Sequence, residues 1–325
     1  MKKAEFGIHE NIAKNIVFID GLARSGKSLV DNIIHTLDRF EHIGTFYLLE
    51  HILPGLSMGA INVQYARALI RNSLNVKAYN IRLGRNVNFR CNDRTGVLNY
   101  KEPAVFFQRI ARVEKGDSIV DELRVSNNYI PFQVHEIMVN LEYFEKLDID
   151  YYMIEIFRNP IDVAYSWWKK GWGERFGNDP RAFTLSLDLD GQRAPWYSAD
   201  YLEKWLSLNQ KERSILNVLR LTESAVEQYK KTTLKARIHL VSFEEFAQRP
   251  FQELEKMCSF LGTEQTEYTP HFVNLSRCPR VIDLSERDIK VKTFAGDVDK
   301  ELLGKLLDMA DSYEKNLYGL RKRDE

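Results

Sequence analysis

Residues 15–28 read NIVFIDGLARSGKS. An apolar run, Asn15–Asp20, feeds a glycine-bounded loop, Gly21–Ser28, with the spacing G-x-x-x-x-G-K-S. The loop opens a segment, Gly26–Phe40, in which Leu29, Ile33, Ile34 and Leu37 recur at helical spacing. Strand, loop and helix in this order make a P-loop-type anion site. Backbone N–H groups of the loop converge on one point, and the helix dipole adds partial positive charge there. Arg24, Ser25, Lys27 and Ser28 add side-chain donors. The plainer alternative for the same string is a polar turn that caps a helix. The string does not itself say whether the phosphates belong to ATP or to another nucleotide.

Outward from this loop, short apolar runs alternate with helical patterns, the mark of βαβ units and a parallel sheet. The expected strands are Asn15–Asp20, Gly44–Leu49, Ile130–Val134, Tyr151–Phe157 and Arg237–Val241. Expected helices follow the loop and cover Ile61–Leu74, Ala199–Lys230 and Val298–Leu317. The fold class read from this is α/β: a P-loop-like three-layer α/β/α arrangement around a central, mostly parallel five-stranded sheet. Residues 54–128 read as insertions and connections, and 298–318 as a closing helix. Without repeats or low-complexity linkers, the 325 residues are expected to form a single domain.

Composition narrows the partners. Lys plus Arg and Asp plus Glu number 46 each, so no global field favours nucleic acid or an anionic membrane, and any recognition of anions must be local. Cys91, Cys258 and Cys278 lie far apart with no C-x-x-C spacing, against a zinc site or a disulfide framework. The opening MKKAEFGIHENIAKN lacks a signal-peptide apolar stretch, and no run approaches membrane-spanning length. A cytoplasmic protein without nucleic-acid partners or stable membrane insertion is the expectation.

A kinase would also need an acid for Mg²⁺ near a strand end, and Asp121 and Glu155 are poor candidates. The chain offers instead IEIFRNPIDVAYS, Ile154–Ser166. Arg158 emerges at the carboxyl edge of a buried strand, where open α/β sheets bind ligands, and Pro160 suits the first turn of the next helix. An arginine fork with Ser166 would suit a second phosphate. On these two motifs the chain resembles the sulfotransferases that use 3′-phosphoadenosine 5′-phosphosulfate (PAPS). In that family a PKSGTT or PRSGTT loop grips the 5′-phosphosulfate and RNPxDxxxS grips the 3′-phosphate. ARSGKS (23–28) and RNPIDVAYS (158–166) match them, and HLVSFEEFAQRPFQELEKMCSFLG (239–262) resembles a third family segment.

The resemblance implies roles for single residues. Arg24 takes the place of the residue contacting the sulfuryl group, and Ser25, Gly26, Lys27 and Ser28 line the 5′-phosphate. Lys27 departs from the usual threonine, which leaves open whether Arg24 or Lys27 meets the charge on the bridging oxygen. Arg158 and Ser166 would bind the 3′-phosphate. Phe243 matches an aromatic near the adenine, with an ordinary core phenylalanine as the alternative. For the base that takes the acceptor proton, His135 in IPFQVHEIM stands at a strand end, and imidazole titrates near neutrality. Glu50, at the end of GTFYLLE, competes with it, and Glu136 is a third candidate. No metal is expected.

The acceptor is read as a hydroxyl-bearing carbohydrate or small metabolite. Trp167, Trp168, Trp172, Phe176, Trp196, Tyr197 and Trp205 supply aromatic faces, and Lys169, Lys170, Arg175 and Arg193 supply cations, unless they serve only packing and solvation. Arg277, Arg280, Lys290 and Lys292 are the cations available to close over the 3′-phosphate, unranked. The expected reaction leaves adenosine 3′,5′-bisphosphate. The rival readings are a P-loop kinase using Mg·ATP and a nucleotide-binding protein without turnover.

Overall fold

The computed structural model describes residues 5–175 and 179–320. In chain order, the first half carries β1 (Ile16–Asp20), α1 (Lys27–Ile34), β2 (Gly44–Thr45), α2 (Tyr47–Ser57), α3 (Val63–Leu83), α4 (Ala104–Ile110) and α5 (Gly116–Val125). Then come β3 (Ile130–Gln133), α6 (Leu141–Glu145), β4 (Tyr151–Phe157), α7 (Pro160–Lys169), β5 (Ser186–Leu189) and β6 (Gln192–Pro195). The rest comprises α8 (Leu202–Ser207), α9 (Gln210–Lys231), β7 (Ile238–Ser242), α10 (Phe243–Gln248), α11 (Pro250–Leu261), α12 (Thr269–Leu275), α13 (Ser285–Ala295) and α14 (Lys300–Asn316).

Five strands form one sheet in the order β2-β3-β1-β4-β7, and every pairing in it is parallel. The strands read as apolar runs because both faces are covered. Along β1, Ile16 and Phe18 enter one core while Val17 and Ile19 enter the other. β4 does the same, with Tyr151, Met153 and Phe157 on the first face and Ile154 and Ile156 on the second. Residues of α2, α3, α7, α9 and α14 cover the first face; α1, α10 and α11 cover the second. This is the α/β three-layer architecture with a central parallel sheet.

Several sequence boundaries are corrected. The strand expected over Gly44–Leu49 ends at Thr45, because Leu49, Ile52, Leu53 and Leu56 have helical spacing and are buried as the inner face of α2. Glu50 therefore stands in the first turn of a helix. The helix expected over Gly26–Phe40 stops at Ile34, after which Thr36, Leu37 and Phe40 N–H groups bond three residues back instead of four. Ala199–Lys230 is not continuous: Leu208 is extended and Asn209 starts α9 with a capping box to Glu212. The helix placed at Ile61–Leu74 runs on to Leu83, and α4 and α5 make the rest of 54–128 helical in part. A hairpin absent from the expectations, β5–β6, turns at Asp190-Gly191, both with positive φ, as a tight two-residue turn demands.

Phe18 sits at the middle of this frame, fully buried, with rings of Phe132, Phe144 and Tyr151 around it. Phe18→Ala is expected to cost about 3–5 kcal/mol, a large-to-small loss at a close-packed site. Urea unfolding followed by circular dichroism measures it, and an unchanged midpoint contradicts this placement of the core.

Candidate active site

Parallel pairing of β1 with β4 sets Asp20 opposite Glu155, so the loop after β1 and the arginine after β4 leave the same edge of the sheet. Gly21 has φ 134°, and a Cβ there would lie 2.4 Å from the Ile156 carbonyl oxygen. Gly26 has φ 98°, and its Cβ would lie 2.1 Å from a ring carbon of Phe243. Both positions admit only glycine. No side chain caps the N-terminus of α1, and Ser25 Oγ is buried without a hydrogen-bond partner among the described residues. A buried hydroxyl and an uncapped helix start form an anion cradle.

The second motif clasps this loop. Arg158 Nη1 donates to the Arg24 carbonyl (3.2 Å), Arg24 Nε donates to Ser166 Oγ (2.9 Å), and Trp167 Nε1 donates to the Ala23 carbonyl (2.7 Å). Neither Arg24 nor Arg158 has an ion pair within 4 Å among the described residues, and Arg158 Nε is buried without a partner. Burial, then the charges of Arg158 and Arg94, lower the Arg24 pKa. Two guanidinium groups thus meet at the loop with no carboxylate in direct contact, while the buried Asp162 acts on Arg158 at longer range. The Arg158 guanidinium lies 4.5 Å from the centre of the Phe243 ring, and that of Arg280 lies 5.5 Å from it. Phe243 is itself buried, between Gly26 and these two cations. Of the four C-terminal cations, Arg280 reaches this place, whereas Lys290 is paired with Asp162 at 2.7 Å.

Lys27 points the other way. It is buried, and its ammonium donates to the carbonyls of Gly21 and, at 3.0 Å, Leu22. Burial lowers its pKa against the charges of Asp20 and Glu155. Glu155 is itself pushed well above the usual carboxylate range by burial, with Asp20 next in effect. Lys27 therefore lies beneath the loop, against two acids aligned on one face of the sheet. Ser28 occupies the second position of α1.

His135 and Glu50 are hydrogen-bond partners. His135 Nδ1 lies 2.8 Å from Glu50 Oε1, which leaves Nε2 for another group. They line a cavity of about 220 Å³ with Glu136, Trp167, Trp172, Trp196 and Tyr197, and Ala23 of the loop reaches the same space. Glu136 has φ 64°, strained for a residue with a side chain. Burial, then the charge of Glu50, raises its pKa to about 8. Arg175 also lines the cavity but is paired with Asp179 at 2.7 Å.

Other aromatic and basic residues lie elsewhere. Trp168 packs on Phe294, with Lys169 and Lys211 over its ring. Trp205 is core, its Nε1 donating to Asn217 at 2.9 Å. Arg193 sits on the hairpin 3.6 Å from Asp188, Lys170 is exposed at the end of α7, and Phe176 lies outside the described residues. Arg287 escaped the sequence reading, and Trp167, read only as an aromatic face for the acceptor, has a second part. Trp167 fastens the loop, and Arg287 joins Asp162, Glu244 and Glu314, tying the RNP segment to α10 and α14. The D of RNPIDVAYS was the available signal for Arg287.

The chain belongs to the sulfotransferase family: the sulfotransferase-domain profile matches residues 17–276. Solved structures with similarity include a sulfotransferase from Alicyclobacillus acidocaldarius, at 16% identity and TM-score 0.42 over 97% of this chain and 100% of that one. The sulfotransferase domain of the Synechococcus PCC 7002 olefin synthase is 13% identical, with TM-score 0.45 over 96% of this chain and 98% of that one. The sulfotransferase domain from the curacin biosynthetic pathway is 14% identical, with TM-score 0.42 over 83% of this chain and 78% of that one. A comparison with curated proteins returned no match. Among the described residues, no helix is long and apolar enough to cross a membrane.

Gly26→Ala drives a methyl into the Phe243 ring, and its destabilisation should be relieved in part by the double variant with Phe243→Ala; purely additive losses in thermal unfolding would contradict this contact. Glu136 carries a raised pKa in the folded state, so its stabilising contribution is complete below pH 4.5 and disappears as pH rises through about 8. Glu136→Gln should flatten that decline when unfolding free energy is measured from pH 4.5 to 9, and a parallel curve would refute the assignment.

Proposed function

We propose that this sulfotransferase uses PAPS as donor and transfers its sulfuryl group to the hydroxyl of a carbohydrate or small metabolite, leaving adenosine 3′,5′-bisphosphate. The observation that carries the reading is the clasp: a P-loop and an RNP motif hydrogen-bonded to each other, with two arginines that form no ion pair among the described residues. A nucleotide with phosphates at both ends of its ribose suits two adjoining anion sites. The residues fit it. The buried Ser25 hydroxyl, the uncapped start of α1 with Ser28, and Arg24 would hold the 5′-phosphosulfate. Arg158, Ser166 and Arg280 would hold the 3′-phosphate, with Phe243 beside the base.

When bound, the donor supplies a sulfuryl group on a phosphate leaving group. His135 Nε2 takes the acceptor proton as the hydroxyl oxygen bonds to sulfur and the sulfur–bridging-oxygen bond breaks. Glu50 fixes the imidazole through Nδ1 and stabilises the imidazolium that forms. Arg24 meets the charge building on the departing phosphate. Lys27, turned into the loop carbonyls, keeps the loop shaped and offsets Asp20 and Glu155. The aromatic cavity beside the pair receives the acceptor, and the whole chain acts as one domain in a cytoplasmic enzyme.

Adenosine 3′,5′-bisphosphate should raise the melting temperature more than Mg·ATP does, because a ligand bound only by the folded state stabilises it. Stabilisation by Mg·ATP alone refutes the donor assignment and favours the kinase reading, whereas bisphosphate binding without transfer to any acceptor favours a binding protein. Arg158→Ala should remove the bisphosphate response. In an active assay, His135→Ala should lower kcat by roughly 10²–10⁴-fold with bisphosphate affinity kept. Glu50→Gln should act in the same direction, and a rate untouched by either substitution would exclude the pair as the base.

A further inference from the structure

A second cavity lies beyond the free edge of β2. It measures about 580 Å³, against about 220 Å³ for the cavity at His135. Small-molecule sites usually occupy roughly 300–1,000 Å³. The space at His135 falls short of that range, and the second space lies within it. Tyr47 lines both. It is 49% exposed, stands one helical turn before Glu50 on α2, and its ring centre is 6.4 Å from that of Phe183, which lines the smaller cavity. A single side chain at the protein surface is therefore the common wall of the two spaces.

The walls of the second cavity are chemically one-sided. Phe46, Phe132, Val97 and Phe106 give it an apolar floor. Lys77 and Arg85 are the charged residues that line it, and no Asp or Glu does so. Lys77 has no ion pair among the described residues, and Arg85 rests against the Tyr79 ring at 5.4 Å. An apolar floor under an unopposed cationic rim selects a chain that is greasy along its length and anionic at its end.

Resting on the sulfotransferase reading above, we propose that the acceptor is an elongated hydroxy acid. Its hydroxyl meets His135 and Glu50, its apolar chain passes Tyr47 onto Phe46 and Phe132, and its carboxylate ends at Lys77 and Arg85. This makes the end of α3 and the turn after it, beyond the helix that the sequence reading placed at Ile61–Leu74, the part of the chain that selects the acceptor by length and charge.

The probes are 12-hydroxydodecanoate and 6-hydroxyhexanoate, titrated calorimetrically into the full chain without nucleotide. The long acid should bind at least about tenfold more tightly, a difference of about 1.4 kcal/mol. Lys77→Glu, on the outer face of α3, should weaken the long acid by a similar factor. Thr184→Trp, which fills the cavity at His135, should weaken it as well. Equal affinity for the two acids, no binding of the long acid, or indifference to Lys77→Glu overturns the proposal. Loss with Lys77→Glu but not with Thr184→Trp overturns it too, because the acid then occupies the second cavity alone. Adenosine 3′,5′-bisphosphate is titrated separately into the same variants. Its failure to bind wild type counts against the donor assignment and leaves the acid titrations to be read by themselves, while its unchanged affinity in both variants shows that they are folded.

Discussion

Parallel pairing of β1 with β4 is the constraint on which the site depends. It brings two segments more than a hundred residues apart to one edge of the sheet, with Asp20 beside Glu155 and both chains turning out at once. A parallel sheet buried on both faces holds these strands by side chains from two cores, so their ends have little freedom. The loop then closes onto the RNP segment through Arg24, Arg158 and Trp167. The junction of the two motifs brings Arg24 and Arg158 together, so a chain with no net charge gathers basic groups locally.

The same edge stores electrostatic tension beneath the loop. Asp20 and Glu155 point to one face of the sheet, and Lys27 is turned down toward them. Burial disfavours the charged forms of Lys27 and Glu155, and Glu155 responds with a raised pKa. A cation with its donors committed to the Gly21 and Leu22 carbonyls shapes the loop from below, while Arg24 remains above. The two basic residues of ARSGK thus face opposite sides of the loop. At the smaller cavity, His135 and Glu50 are likewise made into one unit by their hydrogen bond, with Glu136 strained beside them.

Local patterns exposed much of this frame. The apolar runs of β1, β3, β4 and β7 and the two loop motifs are signals carried by consecutive residues, and the sheet expected from the runs is present. The failures occurred where local signals compete. GTFYLLE is apolar enough for a strand, yet the 49-52-53-56 spacing lets α2 bury four side chains, and the helix prevails after Thr45. The break before α9 was marked by Asn209 and Glu212, and the hairpin by Asp190-Gly191; both are short-range signals that a reading of long apolar stripes passes over.

By itself the sequence determined the class of fold and the family, because strand burial and loop geometry follow from residues next to one another. Tertiary structure alone decided that His135 and Glu50 form a pair, that Lys27 faces inward, that Arg280 reaches Phe243, and that Tyr47 stands between two cavities. Each of these depends on side chains brought together from separate elements. Their relative placement is set by how helices pack on the sheet, which no periodicity within a single segment encodes.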